Sequence, residues 1–125
     1  MTVHQSAEDY LETIYVLAQR NGTVRSIDIA NELGFSKPSV SVAMKKLREE
    51  KLISVDDKGY ISLTSNGEKI ALTTYQRHTF LTKWLVSLGV DEKTAEQDAC
   101  RIEHVVSEES FLKIKSFVEH AGGLK

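Results

Sequence analysis

The sequence predicts a mainly α-helical chain interrupted by a single β-hairpin, and two observations carry that reading. Apolar residues recur at helical spacing through most of the 125 residues. Only LISV and YISL, within 52–63, alternate apolar with polar. Six helices are expected around that hairpin.

The first is AEDYLETIYVLAQRNG, with Tyr10, Leu11, Ile14, Tyr15, Leu17 and Ala18 on one stripe and Asn21-Gly22 to close it. VRSIDIANELG predicts a second, short helix with Ile27, Ile29, Ala30 and Leu33 inward, stopped by Gly34. Ser36 is placed to cap the third, KPSVSVAMKKLREEK, whose Pro38 falls in the first turn, where a missing N–H costs least. LISV and YISL then form the strands of the hairpin, joined by DDKG, with Gly59 available for positive φ. SNGE at 65–68 has capping-box form, Ser65 to Glu68, and opens a long helix through IALTTYQRHTFLTKWLVSL that stops at Gly89. Asp91 caps a fifth helix. Ser107 caps the last, which carries Phe111, Leu112, Ile114, Lys115 and Val118 before Gly122-Gly123. There is no internal repeat, low-complexity segment or long linker.

An apolar fraction of 41% is enough to build a core at this length. The start of the chain shows no basic-then-apolar signal, and no run approaches the roughly 20 apolar residues that cross a bilayer; a cytoplasmic protein is expected. One cysteine excludes an internal disulfide framework and leaves Cys100 as a buried spectator, a ligand or a reactive thiol. The net charge of −2 hides an asymmetry. Residues 20–51 hold seven basic side chains (Arg20, Arg25, Lys37, Lys45, Lys46, Arg48, Lys51) against four acidic ones (Asp28, Glu32, Glu49, Glu50), so this segment is +3 and the remainder −5. One lobe facing a polyanion and another rich in carboxylates would give that pattern.

Helix, helix, turn, helix, hairpin is the order of a winged helix-turn-helix. Ala30 is small where the two helices of the motif approach, Gly34 lies in the turn, and Val40 plugs the third helix into the core. With Val40, Met44 and Leu47 inward, the opposite face presents Lys37, Ser39, Ser41, Val42, Lys45 and Lys46, with Ser36 and Pro38 at its leading end. Serine hydroxyls can reach base edges or phosphates, and Val42 can meet a thymine methyl. Lys45, Lys46 and Arg25 are assigned to phosphates, and Lys58 at the hairpin tip to a neighbouring groove or backbone.

Cys100, Glu103 and His104 stand at i, i+3 and i+4, on one face of a helix. Spacing alone allows three readings. The first is a buried cysteine beside a solvated Glu-His pair. The second, a Cys100–His104 nucleophile, is weak, because reactive thiolates favour helix N-termini or exposed turns and no Asn or Asp is evident to orient the imidazole. The third is a metal site, which gains from Asp9 and Glu12 at i, i+3 on the first helix and from His78, which interrupts the stripe of the long helix. Mixed oxygen and nitrogen donors with one sulfur suit Mn(II), Fe(II), Co(II) or Zn(II) rather than Ca(II) or Mg(II).

EDYLETIY, DIANELGFSKPSVSVAMKKL, LTSNGEKIA, QRHTFL and DACRIEHVVSEE together resemble the DtxR/MntR family of iron- and manganese-dependent transcriptional repressors, over nearly the whole chain. The resemblance implies a winged helix-turn-helix DNA-binding domain at 1–70 and a helical metal-binding and dimerisation domain at 71–125. It implies a homodimer that metal activates for a palindromic double-stranded operator, with ligation by Asp9, Glu12, His78, Cys100, Glu103 and His104. The iron-responsive branch has methionine in place of Asp9, and the manganese-responsive branch has glutamate in place of Cys100, so the site resembles a hybrid. Ending at Lys125, the chain resembles the shorter manganese branch, without an SH3-like domain, or a truncated form. Glu96 and His120 are additional donors expected at the surface. A dimer surface is expected from the last three helices, with Trp84, Leu85, Leu88, Val105, Phe111, Ile114 and Phe117 as candidates, some of which could instead fill the protomer core.

No membrane partner or small organic substrate is expected, and no enzymatic activity. Two alternatives stand beside the repressor reading: a winged-helix regulator answering an organic effector or Cys100 oxidation, and a small metalloenzyme, for which the sequence offers no general base outside the donor set.

Overall fold

The structure, a computed structural model, describes residues 5–121. It divides into two compact units, Met1–Thr73 and Thr74–Lys125, with the boundary inside a helix.

The first unit contains α1 (Gln5–Asn21), α2 (Ser26–Leu33), α3 (Lys37–Glu49), β1 (Ile53–Val55), β2 (Ile61–Leu63) and the start of α4 (Ser65–Ser87). Its core gathers Leu11, Ile14 and Leu17 from α1, Ile29 and Ala30 from α2, and Val40, Met44 and Leu47 from α3 over Leu52, Ile53 and Ile61 of the hairpin. Gly34 turns the chain between α2 and α3 at φ 71°, a left-handed value that costs glycine nothing. Ser36 then caps α3, its hydroxyl accepting from the Ser39 amide at 3.3 Å. The two strands pair antiparallel, Ser54 opposite Ser62. Asp56 Oδ1 closes the turn between them by accepting from the amides of Lys58 and Tyr60, both at 2.9 Å.

Two local expectations shift. Ile27 is 38% exposed rather than inward. At 100° per residue it lies 200° from Ile29, on the far side of a helix whose buried stripe is Ile29, Ala30 and the half-buried Leu33. The cap of α4 is Thr64, not Ser65: the Thr64 hydroxyl accepts from the Gly67 amide at 3.2 Å and donates to the Lys51 carbonyl at 2.8 Å, tying the helix start to the hairpin.

Gly67 is buried in the first turn of α4, where a Cβ would collide with the backbone carbonyl of Leu52. An exposed helical Gly→Ala change gains up to about 1 kcal/mol. Here the sign reverses: Gly67→Ala is expected to lower the unfolding free energy by about 2 kcal/mol, since relief requires moving main chain. Denaturant unfolding checks this, and a stabilised variant would refute the close approach.

The second unit holds the rest of α4, α5 (Glu92–Val105) and α6 (Glu108–His120). Asp91 caps α5 and Ser107 caps α6, as expected. The expected stop of the last helix at Gly122-Gly123 lies outside the described residues. Phe80, Leu81, Ala99, Phe111 and Val118 form the core, and Trp84 and Ile114 pack against it. Phe111 is therefore a core residue and not a surface one: its ring meets Phe80 edge-on at 5.5 Å. Of the other dimer candidates, Leu85 is half-buried, whereas Leu88, Val105 and Phe117 are 64%, 79% and 75% exposed and leave apolar surface to be covered. Among the described residues no helix is long and apolar enough to cross a membrane.

Candidate metal centre and nucleic-acid surface

The inward stripe of α5 is Ala95, Ala99 and Glu103, spaced four apart. A stripe that begins with two alanines thus ends on a carboxylate, and the Glu103 side chain is fully buried. Burying a carboxylate is costly unless cationic or hydrogen-bonding groups surround it. Two imidazoles do so. His78 Nδ1, from α4, lies 3.1 Å from Glu103 Oε2, and His104 Nε2, from the next position of α5, lies 3.3 Å from Oε1. His104 is almost fully buried by side chain, whereas His78 keeps partial access to solvent.

Cys100 stands one turn before Glu103 and is exposed, which removes the reading of a buried spectator. Its Sγ, a Glu103 oxygen and a His104 ring nitrogen lie within 4.8 Å of one another. Metal–ligand bonds of about 2.0–2.3 Å place two donors on opposite sides of one ion no more than about 4.6 Å apart, so the three fit around one cation with little adjustment. Solvent reaches this set through an open pocket lined by His78, Lys93, Glu96, Gln97, Cys100 and Arg101. Glu96 is exposed on its wall, and His120 is exposed elsewhere, its Nδ1 2.6 Å from the Ser116 carbonyl oxygen.

Spacing gave no hint of Arg77, which precedes His78. Its Nη1 donates to the carbonyls of Glu103 at 3.2 Å and Val106 at 2.9 Å, and its guanidinium lies over the Phe111 ring at 5.1 Å. One cation thereby satisfies carbonyls at the end of α5 and holds that end against α4 and α6. The main chain of the carboxylate donor is fixed by the residue next to an imidazole donor.

Asp9 and Glu12 belong to the first unit, where both are half-buried on α1. In that unit Arg25, Ser36, Lys37, Pro38, Ser39, Ser41, Val42, Lys45, Lys46 and Lys58 are all exposed. Val42 is 70% exposed, an apolar side chain set among serines and lysines on the outer face of α3. At the hairpin tip Lys58 has Asp56 and Asp57 for neighbours, so the tip is net negative.

Residues 2–61 match the family model described as iron dependent repressor, N-terminal DNA binding domain, and residues 64–122 match iron dependent repressor, metal binding and dimerisation domain. The chain belongs to the iron-dependent repressor family. It is 36% identical to the transcriptional regulator MntR of Escherichia coli O6:H1 over 92% of its own length and 74% of that protein. Among solved structures it is similar to the manganese regulator SloR, with a TM-score of 0.80 and 30% identity over 95% of this chain. It is also similar to a manganese-dependent transcriptional repressor in complex with manganese, with a TM-score of 0.81 and 30% identity over 90%. The chain spans about half the length of those two, 55% and 52%. Family members are metal-dependent DNA-binding repressors, not enzymes, and a divalent metal is the cofactor. The metalloenzyme reading is thereby set aside.

Proposed function

We propose that this repressor answers Mn(II) or Fe(II), held by Asp9, Glu12, His78, Cys100, Glu103 and His104, and that the metal-loaded homodimer binds a palindromic operator in the cytoplasm. One observation carries the reading: a buried carboxylate set between two imidazoles, with a thiol beside it. Glu103, His78 and His104 suit Mn(II) and Fe(II), and Cys100 widens tolerance toward Zn(II) and Co(II). Lysine, arginine, glutamine and glutamate on the wall of the neighbouring pocket suit passage of a hydrated ion better than an organic effector.

Asp9 and Glu12 are assigned by the family resemblance and by their shared face at i, i+3. They belong to the helix that builds the helix-turn-helix core, while the other four belong to the second unit. A cation shared by both sets neutralises clustered carboxylates and restrains the recognition helices of a dimer, so less ordering remains to oppose DNA binding. In this reading the outer face of α3 enters the major groove: Lys37, Lys45, Lys46 and Arg25 take phosphates, and Ser39, Ser41 and Val42 face base edges. Leu88, Val105 and Phe117 supply exposed apolar surface to the dimer.

Chelator-treated protein, titrated with Mn(II) and Fe(II) under anaerobic reducing conditions against duplexes enriched from a random pool, tests the function. Affinity is expected to rise about 5- to 150-fold with metal, the usual span of such coupling, and to fall again with chelator. The exposed Cys100 gives thiol oxidation a foothold as a second reading. Equally tight binding without metal in these conditions would favour that reading and overturn ours.

A further inference from the structure

In this structure Arg25 and Tyr60 form a cation–π pair: the guanidinium carbon lies over the Tyr60 ring, 4.5 Å from its centre. Arg25 precedes α2, and Tyr60 precedes β2, so the pair joins the start of the helix-turn-helix to the turn of the hairpin. The main chain holds it in place on both sides. The Ile61 amide donates to the Val24 carbonyl at 2.8 Å, and each of these residues is the sequence neighbour of one member of the pair. The Arg25 amide also donates to Asp28 Oδ2 at 2.8 Å, which fixes the start of α2.

A guanidinium held over a ring is restrained in position and still has N–H donors with which to grip a phosphate. Among the described residues no carboxylate pairs with the Arg25 guanidinium, whereas Arg20 is paired with Glu32 at 3.1 Å.

We infer that Tyr60 is a positioning residue for DNA binding: its ring presents the Arg25 guanidinium to the phosphate backbone. This rests on the repressor reading above.

The test uses the full chain loaded with Mn(II) and a random-sequence duplex of about 30 base pairs, with affinity measured against salt concentration. Wild type sets the slope. Arg25→Ala is expected to flatten the slope by about 2 for a dimer, one phosphate contact per protomer. Tyr60→Leu is expected to weaken binding about fivefold to thirtyfold, the worth of two exposed cation–π pairs, and Tyr60→Phe, which keeps the ring face, to restore it. The double variant Arg25→Ala/Tyr60→Leu is expected to bind no worse than Arg25→Ala alone.

Affinity and slope in Tyr60→Leu equal to wild type, or a loss that adds in full to that of Arg25→Ala, would overturn the inference. Should Tyr60→Leu not fold, Arg25→Lys decides, because it keeps the charge without the planar guanidinium: weakened binding supports the inference and wild-type binding overturns it. A wild-type chain with no salt-dependent DNA binding overturns both this and the repressor reading.

Discussion

Glu103→Gln is expected to abolish metal activation while leaving the metal-free fold intact. The amide has the shape of the carboxylate and fills the same buried position between His78 and His104, so packing is preserved. Removing a buried charge also removes its desolvation cost, and the metal-free variant is expected to be at least as stable as wild type. Metal binding is where the loss falls. Removing even an outer hydrogen-bond partner of a ligand costs 10- to 100-fold in affinity, and removing the ligand charge itself is expected to cost more than about 100-fold. At a Mn(II) concentration about 100 times the wild-type Kd, wild type gains about 2.7 kcal/mol of stability, and a 100-fold weaker variant gains only about 0.4 kcal/mol. Denaturant unfolding with and without Mn(II) measures both. A variant that keeps the full metal-induced gain would show that Glu103 is not a ligand.

Lys45→Glu with Lys46→Glu is expected to have an equally large effect at the other functional surface. Both side chains are exposed on α3, between the buried Met44 and Leu47 that hold the helix to its core. The substitution therefore changes charge without touching packing, and stability is expected to stay within about 0.5 kcal/mol of wild type. In a dimer, four cations become four anions. If each lysine meets one phosphate, the slope of binding against salt falls by about 4, and affinity at physiological salt falls by more than about 1,000-fold. The metal-induced gain in stability is expected to persist, since none of the proposed donors has changed. Wild-type DNA affinity in this variant would remove α3 from the interface.

Local chemistry made much of the fold legible. A cap is a bond between neighbours, so Ser36, Asp91 and Ser107 could be read from sequence and are found in that role. Thr64 and Ser65 offered two adjacent hydroxyls, and the choice fell to a tertiary bond from Thr64 to Lys51 that no local pattern contains. The side of α6 that is buried was harder still. Phe111, Leu112, Ile114, Phe117 and Val118 spread apolar surface around more than one face, and only the packing on Phe80 shows that Phe111 and Val118 point inward.

The candidate centre divides along the same line. Cys100, Glu103 and His104 share one helical turn, so their meeting was visible as spacing. His78 joins them only because α4 and α5 pack together. Arg77 and Tyr60 act on partners 26 or more residues away in sequence, through carbonyls and a guanidinium, and no periodicity encodes such contacts. The exposure of Cys100 was likewise unreadable, because it depends on which side of the Ala95–Ala99–Glu103 stripe remains open to solvent.

The central claim is that one donor set, drawn from α1, α4 and α5, holds the activating metal. Anomalous diffraction at the manganese edge from crystals of the Mn(II)-loaded protein tests it most directly. The expected result is density within bonding distance of Glu103, ringed by His78, Cys100 and His104, with Asp9 and Glu12 completing the coordination. Manganese bound away from Glu103, or held without any residue of α1, would contradict it.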